Sequence, residues 1–126
     1  MRLEFASTLV RHHFGDLDAI LFSHLQQGRF YRGIVKIAER YGQPAIVERN
    51  GGLRIQLERL EDVQTLYAVV RGGEAEELVG VIVYTRSTDG VLEILHCAVK
   101  GEYAMRGPKG NLEVMSRLME ELRGIG

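Results

Sequence analysis

Hydrophobic residues recur at two different spacings along the chain, and the change falls near Pro44. Before it, apolar positions recur every three or four residues, as in helices with one buried face. A first helix is predicted to be capped by Asp16 and to end before Gly28, and a second ends before Pro44, since proline cannot continue a helix. The apolar residues of these helices are Leu17, Ile20, Leu21 and Leu25, then Ile34, Ile37, Ala38 and Tyr41.

Beyond residue 45 the period is about two, which is typical of β-strands. Strands are predicted over 45–48, 53–58, 66–71, 78–86 and 91–99, after an opening strand with Leu3, Phe5 and Leu9. The turn Asn50-Gly51-Gly52 indicates a hairpin because these residues tolerate positive φ. A last helix is predicted over 111–123, with a buried stripe of Leu112, Met115, Leu118, Met119 and Leu122.

The order of these elements predicts the fold class and the number of domains. We expect an α+β fold with a mainly antiparallel meander sheet, two N-terminal helices and one C-terminal helix. A chain of 126 residues, 45% of them hydrophobic, lies within the size of one domain. Residues 1–126 are therefore predicted to form a single domain.

The strand over 91–99 is apolar on both faces. Strict alternation groups Glu93 with Val91, Leu95, Cys97 and Val99, and groups His96 with Leu92, Ile94 and Ala98. Apolar residues on both faces predict a central strand that is covered on both sides. A carboxylate among apolar neighbours holds a proton more readily, which would suit Glu93 as general base for an amine. The alternative is a structural carboxylate paired with an arginine.

Charge and composition exclude several classes of partner. The net charge is -1, with 16 basic and 17 acidic residues interspersed, so no basic surface for nucleic acid is expected. No apolar run approaches the roughly 18 residues that span a bilayer, and the first residues lack the apolar core of a signal peptide. The single cysteine cannot form an intrachain disulfide. These features predict a cytoplasmic protein that does not bind membranes.

Other side chains with possible chemistry have simpler interpretations. His12 and His13, if they lie on a strand, point to opposite faces, and their spacing to His24 matches no familiar ligand pattern, so no metal site is expected. Cys97 is interpreted as a small buried hydrophobe. Packing roles are also favoured for His96, Tyr84 and Tyr103.

In the second half of the chain, a glycine-containing strand, Glu77–Tyr84, follows an acidic loop, and the strand segment Asp89–Val99 comes next. These two segments resemble the corresponding strand and the central strand of the GNAT family of acetyl-CoA-dependent N-acyltransferases. Lys100–Gly107 stands where the family has a polar segment before its phosphate loop, and the helix 111–123 matches the helix behind that loop. The resemblance covers residues 66–126 and, more weakly, the two N-terminal helices.

This resemblance implies a cofactor, acetyl-CoA, and an unknown amine acceptor. It implies that the backbone of the central strand pairs with the pantetheine arm, at Cys97, Ala98 and Val99. It also implies that a glycine-rich loop holds the pyrophosphate, since backbone N–H groups at a helix N-terminus stabilise anions. The residues of this loop are Arg106, Gly107, Lys109, Gly110 and Asn111. Glu93 would be the catalytic base.

Two features differ from the family pattern. The family loop reads Gln or Arg, two residues, Gly, one residue, then Gly or Ala, whereas here Gly107 follows Arg106 directly and Pro108 lacks an N–H. The sequence also stops at Gly126, so the resemblance implies a member without the usual C-terminal elements. A homodimer is expected to supply the missing pocket wall. Three hypotheses stay open: an N-acyltransferase, a non-catalytic ligand-binding or assembly module of the same fold, and a coincidental likeness.

Overall fold

The computed structural model describes residues 2–22, 31–72, 75–103 and 113–125, and within them the fold is α+β. The strands are β1 Arg2–Ala6, β2 Leu9–Val10, β3 Ala45–Arg49, β4 Gly52–Gln56, β5 Gln64–Gly72, β6 Ala75–Arg86 and β7 Leu92–Val99. The α-helices are α1 Phe14–Phe22, α2 Tyr31–Tyr41 and α3 Val114–Ile125, and short 3-10 turns lie at Arg11–His13 and Gly101–Tyr103.

The strands form two antiparallel sheets, whereas the sequence predicts one. The four-stranded sheet has the order β1-β5-β6-β7, and the three-stranded sheet has the order β2-β4-β3. Two parts of the predicted meander are confirmed, the hairpin of β3 with β4 and the succession β5, β6 and β7. The meander breaks between them, because β4 pairs with β2 and not with β5. An isolated bridge between Leu57 and Leu60 lies in this connection. The predicted opening strand also divides: β1 and β2 belong to different sheets.

Hydrophobic side chains fill both faces of the four-stranded sheet. On one face α3 covers a core that includes Leu3, Leu66, Val79, Ile82, Val99, Leu118 and Leu122. On the other face α1 and the three-stranded sheet enclose Leu9, Leu17, Leu21, Leu53, Tyr67, Val81 and Ala98. The buried Tyr67 hydroxyl donates to the carbonyl oxygen of Leu53 at 3.1 Å and so connects the two sheets. Burial raises the pKa of Tyr67 to about 12.

Glycines and turn residues explain two local features. Asn50 and Gly51 have φ of 53° and 79°, which confirms the predicted hairpin turn. Gly80 of β6 lies directly beneath α3: a Cβ there would be 2.9 Å from Leu118 Cδ1 and 3.0 Å from Val114 Cγ1. The glycine of the segment 77–84 therefore allows a close approach between helix and sheet.

The helix ends differ from their predicted positions by two or three residues. Helix α1 begins at Phe14, so Asp16 lies in its first turn and is not the cap. Helix α3 begins at Val114 rather than at 111 and extends to Ile125. The predicted positions of Leu25, Gly28 and Leu112 lie outside the described residues. Among the described helices, none is both long and apolar enough to cross a membrane.

Candidate functional site

Strand β7, which carries four predicted site residues, is an outer strand of its sheet. It pairs with β6 and is the last described strand in the order β1-β5-β6-β7, so the prediction of a central strand is wrong. Ile94 is 43% exposed, which shows that one face is incompletely covered in the first half of the strand. The pattern of apolar residues indicates which faces of a strand are covered, but it does not indicate whether the strand lies at the edge of its sheet.

A β-bulge changes which side chains of β7 share a face. Val83 of β6 pairs with His96, but the next residue, Tyr84, pairs with Ile94, so Leu95 is the extra residue. Leu95 consequently packs against the α1 side of the sheet together with Ala98. Leu92, Cys97 and Val99 contact the core beneath α3, so the predicted grouping of Leu95 with Cys97 and Val99 is wrong.

Glu93 does not lie among apolar neighbours. Its side chain is 50% exposed, and its Oε1 lies 3.5 Å from Arg40 Nη1 of α2. The expected apolar setting was therefore wrong, because the bulge at Leu95 separates Glu93 from the apolar second half of the strand. The contact corresponds to the alternative interpretation, a carboxylate paired with an arginine. An exposed pair of this kind contributes little to stability, and its carboxylate is accessible to water.

The backbone of β7 presents alternate residues to the outer edge of the sheet. Lys100 N donates to Val79 O at 2.8 Å, which identifies that pair as hydrogen-bonded. In an antiparallel ladder every second pair exchanges hydrogen bonds, so Ala98 bonds to Val81 and directs its N–H and C=O toward β6. The N–H and C=O of Cys97 and Val99 therefore point to the outer edge. All three positions were predicted to contact pantetheine, and Ala98 faces the wrong way for a backbone contact.

Side chains anchor the end of β7 to the beginning of β6. Glu77 accepts a hydrogen bond from the Tyr103 hydroxyl at 2.9 Å and forms a close ion pair with Lys100 Nζ. Burial would raise the pKa of Glu77, but the hydrogen bonds from Lys100 and Tyr103 outweigh it and lower the pKa. Lys100 also lies 3.4 Å from Glu102. These contacts fix the 3-10 turn that leads out of the sheet, and they give Tyr103 a structural role.

The predicted phosphate loop lies outside the described residues. This applies to Arg106, Gly107, Lys109, Gly110 and Asn111. The elements on either side of the loop are described: the turn Gly101–Tyr103 precedes it, and α3 follows it. Glu113, directly before α3, has a φ of 50°.

His96 and Tyr84 occupy positions that agree with packing roles. His96 is 4% exposed, burial lowers its pKa to about 4, and its Nε2 has no hydrogen-bond partner within the described part of the chain. The imidazole is therefore neutral at physiological pH. The Tyr84 hydroxyl donates to Gln64 Oε1 at 3.4 Å. Burial raises the pKa of Tyr84, so this phenol is a weaker acid than usual.

A side-chain cluster that the sequence did not predict lies at the start of β6. His12 and His13 belong to a 3-10 turn, not to a strand, and their ring centroids are 4.1 Å apart. The premise that they point to opposite faces is therefore wrong. Glu76 joins them from the start of β6. It is 63 residues from His13 along the chain, so no local spacing could have indicated this contact.

Two surface hollows lie beside the three-stranded sheet. One, of about 430 Å³, is lined by Arg11, Phe14, Ile46, Val47, Glu48 and Leu53. The other, of about 390 Å³, is lined by residues of β3, β4 and the chain up to Val63. Neither includes a residue of β7, so neither coincides with the site that the sequence predicts.

Comparisons with models of protein families, with curated proteins and with solved structures give no match to this chain.

Proposed function

We propose that the chain binds an acyl-CoA along the outer edge of β7 and acts as a GNAT-like N-acyltransferase on an amine acceptor. One observation carries the proposal: the hydrogen-bond register directs the backbone N–H and C=O of Val99 away from β6, at the outermost described strand of the sheet. Val99 is 3% exposed, so a ligand that pairs here must displace the groups that cover this edge. A pantetheine arm contains two amides, and it can pair with such an edge as an added strand does. Acetyl-CoA is the simplest donor of this class.

The proposed cofactor path continues from β7 into the loop that follows it. The turn Gly101–Tyr103 follows β7, and the contact of Tyr103 with Glu77 holds this turn. Arg106 and Lys109 would contribute positive charge to a pyrophosphate, and the N–H groups of Gly107, Gly110 and Asn111 would complete its cradle. Charge-assisted contacts of this kind are among the stronger hydrogen bonds in proteins.

Glu93 is the proposed general base. The ionised carboxylate would accept a proton from the acceptor amine through a water molecule. The amine nitrogen would then form a bond to the thioester carbonyl carbon, the carbon–sulfur bond would break, and the thiolate of CoA would leave and take up a proton. Arg40, whose Nη1 lies 3.5 Å from Glu93 Oε1, is the charged side chain that pairs with this carboxylate.

The same contact favours a second candidate, a non-catalytic acyl-CoA-binding module of similar fold. A carboxylate that is half exposed and lies 3.5 Å from an arginine has the geometry of an ordinary surface ion pair. In this second candidate Glu93 and Arg40 only attach α2 to β7. The expected homodimer stays a prediction in both cases, and sedimentation equilibrium tests it directly.

Amide hydrogen exchange measured by NMR tests the proposed contact with β7. On addition of acetyl-CoA, exchange at the Val99 amide should slow, because that N–H gains a hydrogen-bond partner. The Ala98 amide, which already bonds to β6, is the internal control and should not change. Unchanged exchange at Val99 at millimolar acetyl-CoA would contradict the proposal.

An acetyl-transfer assay with a panel of amines separates the two candidates. If the chain is an enzyme, Glu93→Gln should lose transfer but keep acetyl-CoA binding, whereas Glu120→Gln, an exposed change on α3, should keep both. Binding without transfer in the unaltered protein would favour the non-catalytic module.

A further inference from the structure

The cluster of two histidines and a glutamate between the Arg11–His13 turn and β6 has the composition of a metal site. We propose that His12, His13 and Glu76 bind one divalent transition-metal ion, of which Zn²⁺ is the representative. Each residue offers one ligand atom, and these atoms all lie within 4.8 Å of one another. This proposal replaces the expectation of no metal and is independent of acyl-CoA binding.

The local backbone explains how two adjacent histidines reach one ion. On a strand, neighbouring side chains point apart, but residues 11–13 form a 3-10 turn. The turn brings the two rings to a centroid distance of 4.1 Å at an angle of 38°. His13 is buried at 1% exposure, whereas His12 is exposed, so one ligand is fixed and the other can adjust.

The carboxylate of Glu76 divides its two oxygens between the cluster and a neighbouring arginine. Its Oε1 lies 2.7 Å from His13 Nε2, and its Oε2 forms a close ion pair with Arg71. Arg71 is itself held by Glu4, with Arg71 Nε 3.1 Å from Glu4 Oε2. Arg71 therefore orients the carboxylate without occupying the oxygen that faces the histidines, as outer partners do at metal sites.

The second nitrogen of His13 provides independent support. Its Nδ1 is buried and has no hydrogen-bond partner among the described residues, although Asp16 Oδ2 lies 3.8 Å away. A buried imidazole nitrogen without a hydrogen-bond partner is uncommon in folded proteins. With a metal ion bound at Nε2, the ring N–H of His13 lies at Nδ1 and faces the Asp16 carboxylate. Ligating histidines usually direct their second N–H to an outer partner of this kind.

The donor set selects the class of metal. Two imidazole nitrogens and one carboxylate oxygen suit Zn²⁺ and similar ions, whereas Mg²⁺ and Ca²⁺ prefer oxygen ligands alone. Tetrahedral ligands about 2.0–2.1 Å from zinc are roughly 3.3 Å apart. The 2.7 Å distance between His13 Nε2 and Glu76 Oε1 must therefore lengthen slightly when zinc binds, and the exposed His12 side chain must move toward the ion. Three protein ligands leave a fourth position for water or another ligand.

Calorimetric titration of the metal-depleted protein with ZnCl₂ tests the proposal. We expect one equivalent of Zn²⁺ to bind, at least about tenfold more weakly in His12→Ala and in Glu76→Gln. Glu120→Gln, an exposed change on α3, is the matched control and should bind like the unaltered protein. His12 is the preferred variant because its side chain is exposed, so the fold does not depend on it; circular dichroism checks this.

Two further measurements make the outcome decisive. Co²⁺ in place of Zn²⁺ should give the intense visible absorption of a four-coordinate ion, and His12→Ala should reduce it. Zn²⁺ should also raise the melting temperature of the unaltered protein, while Mg²⁺ at the same concentration should not. An absence of Zn²⁺ binding at millimolar concentration would overturn the proposal, and so would unchanged affinity in both His12→Ala and Glu76→Gln.

Discussion

The close contact between α3 and the sheet at Gly80 makes a sharp prediction about stability. Val114 and Leu118 are both fully buried above this glycine. A Cβ at residue 80 would lie 3.0 Å from Val114 Cγ1 and 2.9 Å from Leu118 Cδ1, and 3.5 Å from Ala98 O. The first two distances are well inside van der Waals contact, so Gly80→Ala must displace the helix or force its side chains from their rotamers.

The expected magnitude follows from opposing contributions. Overpacking of a filled core typically destabilises a protein by about 1–3 kcal/mol. Replacement of glycine also lowers the entropy of the unfolded chain, which stabilises the folded state by about 0.4–1 kcal/mol. We therefore expect Gly80→Ala to lower the free energy of unfolding by about 1 kcal/mol. Gly80→Val places two more methyl groups than Gly80→Ala in the same space, and it should lower the free energy of unfolding by about 2–3 kcal/mol.

Urea denaturation followed by circular dichroism measures both variants. With a slope of about 1.5 kcal/mol per molar urea, the midpoint should fall by roughly 0.7 M for the alanine variant and by roughly 1.7 M for the valine variant. Gly124→Ala in α3 is the matched control, because a Cβ there meets nothing within 4 Å. It should leave the midpoint equal or slightly higher. An unchanged midpoint in Gly80→Val would refute the packing of α3 described above.

Two other predictions concern buried polar groups. Burial lowers the pKa of His96 from 6.5 to about 4, so the unfolded chain takes up a proton at higher pH than the folded protein does. The free energy of unfolding should therefore fall between pH 7 and pH 4, by as much as about 3 kcal/mol. His96→Leu should flatten this part of the stability profile, measured by urea midpoints at several pH values; an equally steep profile would contradict the assignment. Tyr67→Phe leaves the Leu53 carbonyl without its 3.1 Å donor and should cost about 1–2 kcal/mol at neutral pH, again by urea denaturation. A neutral effect would show that this hydrogen bond does not hold the two sheets together.

Local patterns in the sequence predict the elements of this fold well. The hairpin at Asn50 and Gly51 follows from residues that accept positive φ, and both adopt it. Strands β5 and β6 occupy the segments where strands are predicted over 66–71 and 78–86, and α3 follows from an apolar stripe that includes Leu118 and Leu122. Each of these patterns involves residues that are close together in the sequence, so a single sequence is enough to identify it.

Pairing between distant segments explains where the predictions failed. Nothing near β4 in the sequence indicates that it pairs with β2 rather than β5. The bulge at Leu95 depends on the register with β6, and it moved Glu93 out of the expected apolar setting. The contact of His13 with Glu76 joins residues 63 apart, and the 3-10 turn that makes it possible has no strong sequence signal.

The central claim, that the chain binds an acyl-CoA, is tested most directly by calorimetric titration with acetyl-CoA and with CoA. Micromolar binding of one equivalent is predicted, weakened about tenfold or more in Arg106→Ala because a charged contact with phosphate is lost. Arg123→Ala, an exposed change in the last turn of α3, removes the same charge elsewhere and should bind normally. Absence of binding at millimolar acetyl-CoA, or equal weakening by both variants, would contradict the claim.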